Sequence, residues 1–561
     1  AAFMVAFAPS LLAQQSSVNK MLTDKNFSPT VWYEIDQNGV IKVNIARAEM
    51  GQHVGTALAK IVAEELGADW NDVIIEHVNT NPKWGYMVTG GSWSVFQSYE
   101  PLSRAGAAGR AILIEAGAKA LNKSIADCHA ENGFVVCGQQ RISFAELIKT
   151  QQFNKTVSAD ELKNYAIKSR KHHTIIGKQS QALDIPPKVN GTAVYGIDVE
   201  VPGMIFARPV VPPSRYGNKV ESVDDSNAKK ITGYQGYKEL SDPSGWLEGW
   251  VVVFADNYPA AVQAVDKIKV SYLHNDALSI SEADIQNRGK ALIADQEEGA
   301  LLVDVGNTTT AQESAASQFD STYTTSSAMH FQLEPVNAVV EFKEGVWHVH
   351  SGNQWQSLTL PAVAKALEVD DSQVIIHQYY LGGGFGRRLF GDYMIPAVLA
   401  AKAIGKPVKM VFTREDDAHF DQPRSPSVSN LSATLNDDNE VIGIEHRFTS
   451  GWPTKAMAAG FLAPSKDGKK KIDMLSASGS DHWYSLPNHK VLVYNNDLAQ
   501  KTFVPGWLRS VGPGWIQWSV ESFMDELAHK SGQDPAEFRL ALLDAQGRQS
   551  GSAPHSVGGA N

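Results

Sequence analysis

Five short stretches of the sequence combine glycine with polar side chains in patterns that could bind a ligand. The most marked is LGGGFGRR at residues 381–388, in which glycines allow backbone N–H groups to approach a ligand closely and arginines offer a planar set of donors suited to phosphate. The other four are EMGQHVGT at residues 49–56, TGGSWS at residues 89–94, GNQWQS at residues 352–357 and PGWLRSVGPG at residues 505–514. Together they indicate an extended, phosphorylated ligand bound between domains.

Taken singly, each stretch also has an ordinary structural explanation. The run GGGFG fits a tight turn between a strand and a helix, Gly51 and Gln52 fit a helix cap, and Ser92 or Ser94 would serve well as a helix N-cap. The glycine run matches neither common nucleotide motif. No Gly-Lys-Ser/Thr follows it, and Arg387 stands where the last glycine of G-x-G-x-x-G would be.

The elements around these stretches are strands followed by helices. TVWYEIDQNGVIKVNI predicts two strands around a turn at residues 37–39, and VGTALAKIVAEELG predicts an amphipathic helix that ends at Gly67. SRAGAAGRAILIEAGAKAL, at residues 103–121, predicts a helix whose small residues favour close packing. Val-rich strands alternate with helices after residue 184, and the strands VWHVHSG and QVIIHQYY each precede a helix. The pattern is typical of an α+β protein.

Composition narrows the class of protein. The chain has 561 residues, enough for three or four domains of about 150 residues. Its net charge of -11 makes nucleic acid an unsuitable partner. No run of about 18 apolar residues occurs, so the sequence predicts no membrane span.

The apolar start, AAFMVAFAPSLLAQQ, is typical of the core and cleavage site of an export signal. We therefore expect residues 1–27 to be the remnant of a twin-arginine-type signal with a short tail, and the protein to be periplasmic. A buried N-terminal helix is the alternative.

The two cysteines are predicted to form a disulfide. Asn132-Gly133 is a strong hairpin signal, and centring a hairpin on it places Cys128 opposite Cys137 at a non-hydrogen-bonded pair, where Cα atoms approach to about 4.5 Å. That spacing suits a disulfide, which agrees with export. Two cysteines cannot hold a four-cysteine iron–sulfur cluster.

The combination and order of these stretches resemble one family. The sequence is similar to the large molybdenum-cofactor-binding subunit of the xanthine oxidase family of molybdenum hydroxylases, and most of all to isoquinoline 1-oxidoreductase beta subunits and exported aldehyde dehydrogenases. DIPPKVNGTAVYGIDVEVPGM, HFQLEPVNAVVEF and FTREDD add to the resemblance, which covers nearly the whole chain after the signal. EMGQHVGT comes first here, a permuted order that this branch shows.

The resemblance implies a multidomain α+β fold. Residues 28–180 are expected to form a permuted molybdopterin-binding segment, residues 184–285 an α/β hammerhead domain, and residues 286–325 a connector. Residues 326–561 are expected to form a molybdopterin-binding domain that is incomplete at its C-terminus, because no closing strands follow the last helix.

The resemblance also implies roles for individual residues. Gln354 is expected to hydrogen-bond an oxygen on molybdenum, and Arg509 to bind pterin or substrate beside the metal; these are the predicted catalytic residues. The metal is expected to have no protein ligand, because the pterin dithiolene holds it. The predicted cofactor-binding residues are Gly51, Gln52, Thr89, Gly90, Gly91, Ser92, Gln354, Gly383, Gly384, Phe385, Gly386, Arg387 and Arg509.

The implied activity is oxidation of an aldehyde or an isoquinoline-like N-heterocycle with water as the oxygen source. The implied cofactor is molybdopterin cytosine dinucleotide. Electrons would leave through [2Fe–2S] clusters on a separate small subunit, and a cytochrome c subunit is a further candidate partner.

Two departures from the family pattern matter. Purine-oxidising members carry an aromatic residue where this chain has Val511, which argues against a purine substrate. The family's general base is a glutamate in a Gly-Glu motif near the C-terminus, and neither Glu49 nor Glu415 matches that motif. His53 stands where relatives often have glycine. The alternatives are a metal-free, non-catalytic fragment and, less consistent with the spacing, a nicotinamide or flavin enzyme.

Overall fold

Six β-sheets and the helices packed on them make up the residues that the computed structural model describes, 26–153 and 155–543. The predicted export segment lies almost wholly outside these ranges. None of the described helices is long and apolar enough to cross a membrane.

The N-terminal unit consists of a four-stranded sheet in the order β1-β2-β3-β4, a three-stranded sheet β5-β6-β7, and the helices that cover them. Its elements are β1 (Phe27–Thr30), β2 (Tyr33–Ile35), β3 (Ile41–Ile45), α1 (Val54–Leu66), β4 (Val73–His77), α2 (Trp93–Leu121), β5 (Cys128–Glu131), β6 (Phe134–Cys137), β7 (Gln140–Ser143), α3 (Phe144–Thr150) and α4 (Ala159–Leu162).

The long helix α2 packs closely on its neighbours through glycine, as its small residues predict. A Cβ on Gly106 would lie 2.7 Å from the Cβ of Glu65 on α1, and one on Gly109 would lie 1.8 Å from the Tyr33 hydroxyl. The helix begins ten residues before the predicted segment and runs through Pro101. The helix α1 ends, as predicted, at Gly67 in a left-handed conformation.

The predicted disulfide is present in this unit. Cys128 pairs with Cys137 in the register derived from the Asn132-Gly133 turn, and their Cα atoms lie 4.2 Å apart. The bridge joins adjacent ends of β5 and β6.

Replacing both cysteines by alanine is expected to lower the free energy of unfolding by about 2–3 kcal/mol, because the bridge restricts a short loop in the unfolded chain. Urea denaturation of oxidised wild-type protein and of the double variant measures the difference. Wild-type protein that has been reduced before unfolding should match the variant. A loss well below about 1 kcal/mol would contradict the expectation.

A seven-stranded sheet forms the centre of the described chain, in the order β10-β11-β8-β18-β15-β16-β17. Its strands and the nearby elements are α5 (Ile185–Asn190), β8 (Ile205–Val210), β9 (Val220–Asp224), β10 (Tyr234–Glu239), β11 (Val251–Ala255), α6 (Tyr258–Lys267), β12 (Lys269–Tyr272), β15 (Asn337–Lys343), β16 (Val346–His350), α9 (Gln356–Leu367), β17 (Val374–His377), α10 (Met394–Ile404), β18 (Val408–Val411) and α11 (Arg414–His419). The predicted strands and helices of this region are confirmed.

The predicted domain boundary at residue 285 does not separate two independent sheets. Residues 184–285 do not close a sheet of their own, because β8 pairs in parallel with β18. Strands from residues 205–255 and 337–411 therefore share one sheet and one hydrophobic core.

A five-stranded sheet, β13-β23-β20-β19-β14, completes the described fold. Its elements and those around it are α7 (Glu282–Ala294), β13 (Ala300–Val305), α8 (Thr308–Glu313), β14 (Ser317–Thr325), β19 (Ser427–Leu435), β20 (Val441–Ser450), α12 (Pro453–Met457), β21 (Ala463–Pro464), β22 (Lys471–Ile472), α13 (Met474–Ala477), β23 (His489–Asn495), α14 (Asp497–Thr502), α15 (Pro513–Lys530) and α16 (Pro535–Ala541). The prediction that residues 286–325 form a connector is wrong, because these residues supply both edge strands of this sheet.

Three histidines, of which His350 and His446 are buried and His377 is half-buried, are expected to destabilise the fold in acid. Burial, reinforced by neighbouring histidines, lowers the pKa of His350 and of His377 to about 4 and that of His446 to about 3. In the unfolded chain these groups bind a proton near pH 6.5. As the pH falls from about 6.5 to about 4, the unfolded state therefore binds more protons and the free energy of unfolding decreases.

Urea titrations at about pH 7.5, 6 and 5 measure this decrease. His350→Gln should make the pH dependence shallower, because glutamine does not titrate. A free energy of unfolding that stays constant over this interval would contradict the assignment.

Candidate functional site

Five loops, each leading into a helix, converge at one place in the fold. They are the predicted stretches: the loops before α1 and α2, the loops after β16 and β17, and the loop between α14 and α15. We refer to these loops together as the candidate site.

Gln354 is the side chain that joins the loops. It is only 3% exposed. Its side-chain Nε2 donates to the Thr89 carbonyl at 2.9 Å, and its Oε1 accepts from the Gly386 N–H at 3.2 Å. Its backbone carbonyl accepts from the Thr89 N–H at 2.6 Å, and its N–H donates to the Arg388 carbonyl at 2.7 Å. One N–H of its amide remains available to a ligand.

The glycines of the central loop are there because side chains would not fit. A Cβ on Gly384 would lie 2.5 Å from Gln354 Oε1 and 2.7 Å from Met50 Sδ. A Cβ on Gly386 would lie 1.4 Å from the Trp507 carbonyl oxygen. The loops before α1, after β16, after β17 and before α15 are therefore in direct contact here.

Phe385 and Arg509 form a second contact between loops. The Arg509 N–H donates to the Phe385 carbonyl at 2.7 Å, and its guanidinium carbon lies 5.4 Å from the centre of the Phe385 ring. Both side chains reach solvent, and the Arg509 guanidinium makes no hydrogen bond to any other described residue. A charged group and an aromatic face are thus presented together.

Other predicted binding residues lie at the rim of the candidate site. Gln52 is exposed and makes no hydrogen bond within the described chain, and a Cβ on Gly51 would meet no atom within 4 Å. Ser92 does not use its hydroxyl to cap α2, contrary to the alternative raised from the sequence. Gly90 approaches Leu389 of the glycine loop, and the neighbouring Gly91 is exposed.

The side chain of Arg387 points into the protein interior, contrary to the prediction that it binds the cofactor. Its side chain is fully buried, with Nη1 2.8 Å from Asp392 and Nε 3.3 Å from Asp421. Burial alone would lower its pKa, but these carboxylates and Asp417 raise it above its usual range. Arg388 is likewise buried and contacts Glu334 at 3.0 Å. The two arginines therefore fix the loop to the protein interior and leave ligand contacts to its backbone.

Backbone strain is concentrated in and beside the candidate site, which the sequence did not reveal. Non-glycine residues with positive φ in this region are His53 (56°), Ser92 (59°), Phe331 (46°), Phe385 (55°), Ser510 (77°) and Val511 (49°). Elsewhere in the described chain such residues lie at helix ends or in tight turns. Strain of this kind costs of order 1–3 kcal/mol per residue and is typical of binding sites.

Lys188 is a residue that sequence reasoning missed. Its Nζ lies 3.0 Å from Glu49 and 2.6 Å from Asp184, whose other partner is His53. Glu49 also accepts the N–H groups of Gly51, His53 and Val54. The lysine thus supplies the cation between these two carboxylates, and Glu49 fixes the loop before α1.

The donors at the candidate site fit a polar, anionic group. The indole N–H of Trp507 is buried and has no acceptor in the described chain. At the rim, Gln52, Ser92 and Arg509 offer exposed donors beside the open backbone of Gly51. Molybdopterin, with its phosphate and its heterocycle, matches such a donor set.

Comparison with known proteins decides the family. Two models of the molybdopterin cofactor-binding domain match the sequence, one over residues 293–542 and the other over residues 5–201. The membrane-bound aldehyde dehydrogenase (pyrroloquinoline-quinone) of Gluconacetobacter polyoxogenes is 48% identical over 100% of this chain and 73% of its own length. The chain belongs to the molybdopterin-binding large subunits of the xanthine oxidase family.

Other relatives agree with this assignment to the xanthine oxidase family. Isoquinoline 1-oxidoreductase subunit beta of Brevundimonas diminuta is 26% identical over 93% of this chain and 71% of its own length. Among solved structures, aldehyde oxidoreductase from Desulfovibrio gigas superposes with a TM-score of 0.50 at 19% identity, over 64% of this chain and 42% of that chain. Quinoline 2-oxidoreductase from Pseudomonas putida 86 gives 0.50 at 16%, over 66% and 50%. These two structures support the fold alone, and this chain spans half or less of each.

Proposed function

We propose that this chain is the catalytic subunit of a molybdenum hydroxylase that oxidises aldehydes. The observation that carries the proposal is the convergence of the five loops at one place, where Gln354 joins Thr89 to Gly386. The substrate class rests on the relative that is 48% identical, which is named an aldehyde dehydrogenase. An N-heterocycle is the second candidate, because a relative at 26% identity is named an isoquinoline 1-oxidoreductase.

The residues of this chain would bind the cofactor, orient the substrate and shield both from solvent. The free amide N–H of Gln354 would donate to the bound cofactor, and backbone groups near Gly51 and residues 89–92 would hold its phosphates. When bound, molybdopterin supplies a metal centre that accepts two electrons from the substrate while water provides the oxygen atom. Arg509 and Phe385 form the wall against which the substrate is positioned.

The proposal includes partners. Both cysteines of the sequence are in the Cys128–Cys137 disulfide, so the [2Fe–2S] clusters that carry electrons away belong to a separate small subunit, with a cytochrome c subunit as a further partner. The cofactor form is the cytosine dinucleotide, and the location is the periplasm, which accords with the word "membrane-bound" in the name of the relative that is 48% identical.

The general base is assigned to neither of the glutamates considered from the sequence. Glu49 is only 1% exposed and is bonded to Lys188 and to three backbone N–H groups. Glu415 lies exposed in the first turn of α11. Neither position lets a carboxylate take a proton at the candidate site.

Elemental and cofactor analysis of the purified enzyme tests the proposal. We expect about one molybdenum per chain, and turnover of acetaldehyde faster than of isoquinoline. Because the relative's name includes pyrroloquinoline quinone, the same sample should be assayed for that quinone. Quinone without molybdenum would overturn the proposal, and the absence of both would favour the non-catalytic alternative.

A further inference from the structure

His330 lies where three segments of the candidate site meet. Its side chain is fully buried. Nδ1 lies 2.9 Å from Asp421 Oδ1, and Nε2 lies 3.1 Å from the Trp507 carbonyl oxygen. The backbone N–H of His330 also donates to Asp421, at 2.9 Å. The proposed function gives this residue no role.

Both ring nitrogens of His330 lie opposite oxygen atoms that accept hydrogen bonds. A carbonyl oxygen can only accept a hydrogen bond. Burial would raise the pKa of Asp421, but the hydrogen bond from His330 and the charges of His330 and Arg387 lower it below its ordinary value, so it stays a carboxylate. Each ring nitrogen of His330 therefore faces an acceptor, a carboxylate on one side and a backbone carbonyl on the other. Asp417, which is bonded to Gln332, is the other carboxylate of this cluster.

The Trp507 carbonyl that His330 holds also sets the position of Arg509. A Cβ on Gly386 would lie 1.4 Å from this oxygen and 3.2 Å from His330 Nε2, so these groups are in direct contact. Two residues further on, the Arg509 N–H donates to Phe385. A group that fixes the Trp507 carbonyl therefore fixes the backbone of residues 507–509 against the glycine loop.

Residues 330–334 alternate between buried and exposed side chains, which directs His330 toward the Trp507 carbonyl. His330, Gln332 and Glu334 are buried, whereas the residues between them, Phe331 and Leu333, are exposed. Phe331, the exposed residue directly after the buried His330, has a positive φ of 46°. A strained backbone residue therefore adjoins the buried imidazole of His330.

We propose that His330 is a positioning residue, which acts through the Trp507 carbonyl to keep the Arg509 guanidinium over Phe385. The inference rests on the proposed function, because the benefit of a fixed Arg509 is to orient substrate. His330 itself touches neither substrate nor cofactor in this account.

A double-mutant cycle in the holoenzyme, with acetaldehyde as substrate and ferricyanide as electron acceptor, tests the inference. We expect His330→Gln to raise KM and lower kcat/KM by about tenfold or more while molybdenum content is kept. In an Arg509→Ala background the same change should alter kcat/KM less than about twofold, because the residue acts through Arg509. Fully additive effects would overturn the inference.

The matched control is Gln332→Leu. Gln332 lies in the same buried segment and donates to Asp417 at 2.6 Å, but it makes no hydrogen bond to residues 507–511. Its effect on kcat/KM should therefore add to that of Arg509→Ala. Coupling of equal size for both variants would show that His330 has only a general structural role.

Hydrogen exchange, followed by mass spectrometry, gives a measurement that is independent of turnover. Amides of residues 507–511 should exchange faster in His330→Gln than in wild type and at the wild-type rate in Gln332→Leu. If His330→Gln fails to fold, Asp421→Asn serves instead, because it keeps an acceptor for Nδ1 but removes the carboxylate charge that faces His330. If wild-type enzyme holds no molybdenum, the proposed function fails, whereas unchanged exchange at residues 507–511 is what overturns the role of His330.

Discussion

Gly386→Ala is expected to leave the protein without molybdenum and without turnover. The new methyl group would lie 1.4 Å from the Trp507 carbonyl, which is backbone and cannot rotate away, and the φ of +111° adds further strain. One of the two loops must move, and the contacts of Gly386 with Gln354 and of Phe385 with Arg509 would then be lost. Molybdenum content per chain and kcat measure the effect.

Gly345→Ala is the matched control for this substitution. Gly345 also has a positive φ, +83°, but a Cβ there would meet no atom within 4 Å. It should cost only the strain of a left-handed alanine, about 1 kcal/mol, and leave molybdenum content normal. Normal molybdenum in Gly386→Ala would contradict the contact between the two loops.

Gln354→Ala is expected to lower kcat by about 10²–10³-fold, the usual cost of removing one preorganised donor from an active site. The molybdenum content should stay close to that of wild type, because the pterin and its phosphates are held mainly by other loops. Loss of the amide also leaves the Thr89 carbonyl and the Gly386 N–H without their partner. Steady-state kinetics and metal analysis on the same sample separate these effects.

Gln378→Ala is the control for Gln354→Ala. Gln378 is also buried, and its side chain makes two hydrogen bonds, to the Tyr379 carbonyl and to Gln356, but none to residues 89–92 or 381–388. We expect a loss of stability of about 1–3 kcal/mol with kcat close to wild type. Equal losses of kcat in both variants would show that Gln354 matters only for folding.

The sequence identified several residues that meet at the candidate site, but it could not show how they meet. Gln354 and Gly384 stand in local patterns of glycine and amide residues that are visible within a few positions. The hydrogen bond from Gln354 to Thr89 joins residues 265 positions apart, and no local pattern records such a pairing. The same limit explains Arg387. Two of its three carboxylate partners, Asp417 and Asp421, lie about 30 positions away, so the sequence alone suggests that its charge is free to bind phosphate.

The predicted connector shows a different limit. Its acidic, Ser- and Thr-rich composition is typical of a linker, yet the nine residues of β14 alternate strictly between less and more exposed positions, with Phe319 and Tyr323 on the inner face. This period of two was present in the sequence and could have predicted the strand. The pairing of β8 with β18 had no comparable signal, because parallel partners can be far apart in the chain.

The bond between Gln354 and Thr89 has a consequence for how the enzyme is made. Neither the first 150 residues nor the central sheet contains the converging loops alone, so we expect cofactor insertion to follow the folding and docking of both halves. Loading then serves as a checkpoint on maturation: a polypeptide that acquires the pterin has, by that fact, completed its tertiary assembly.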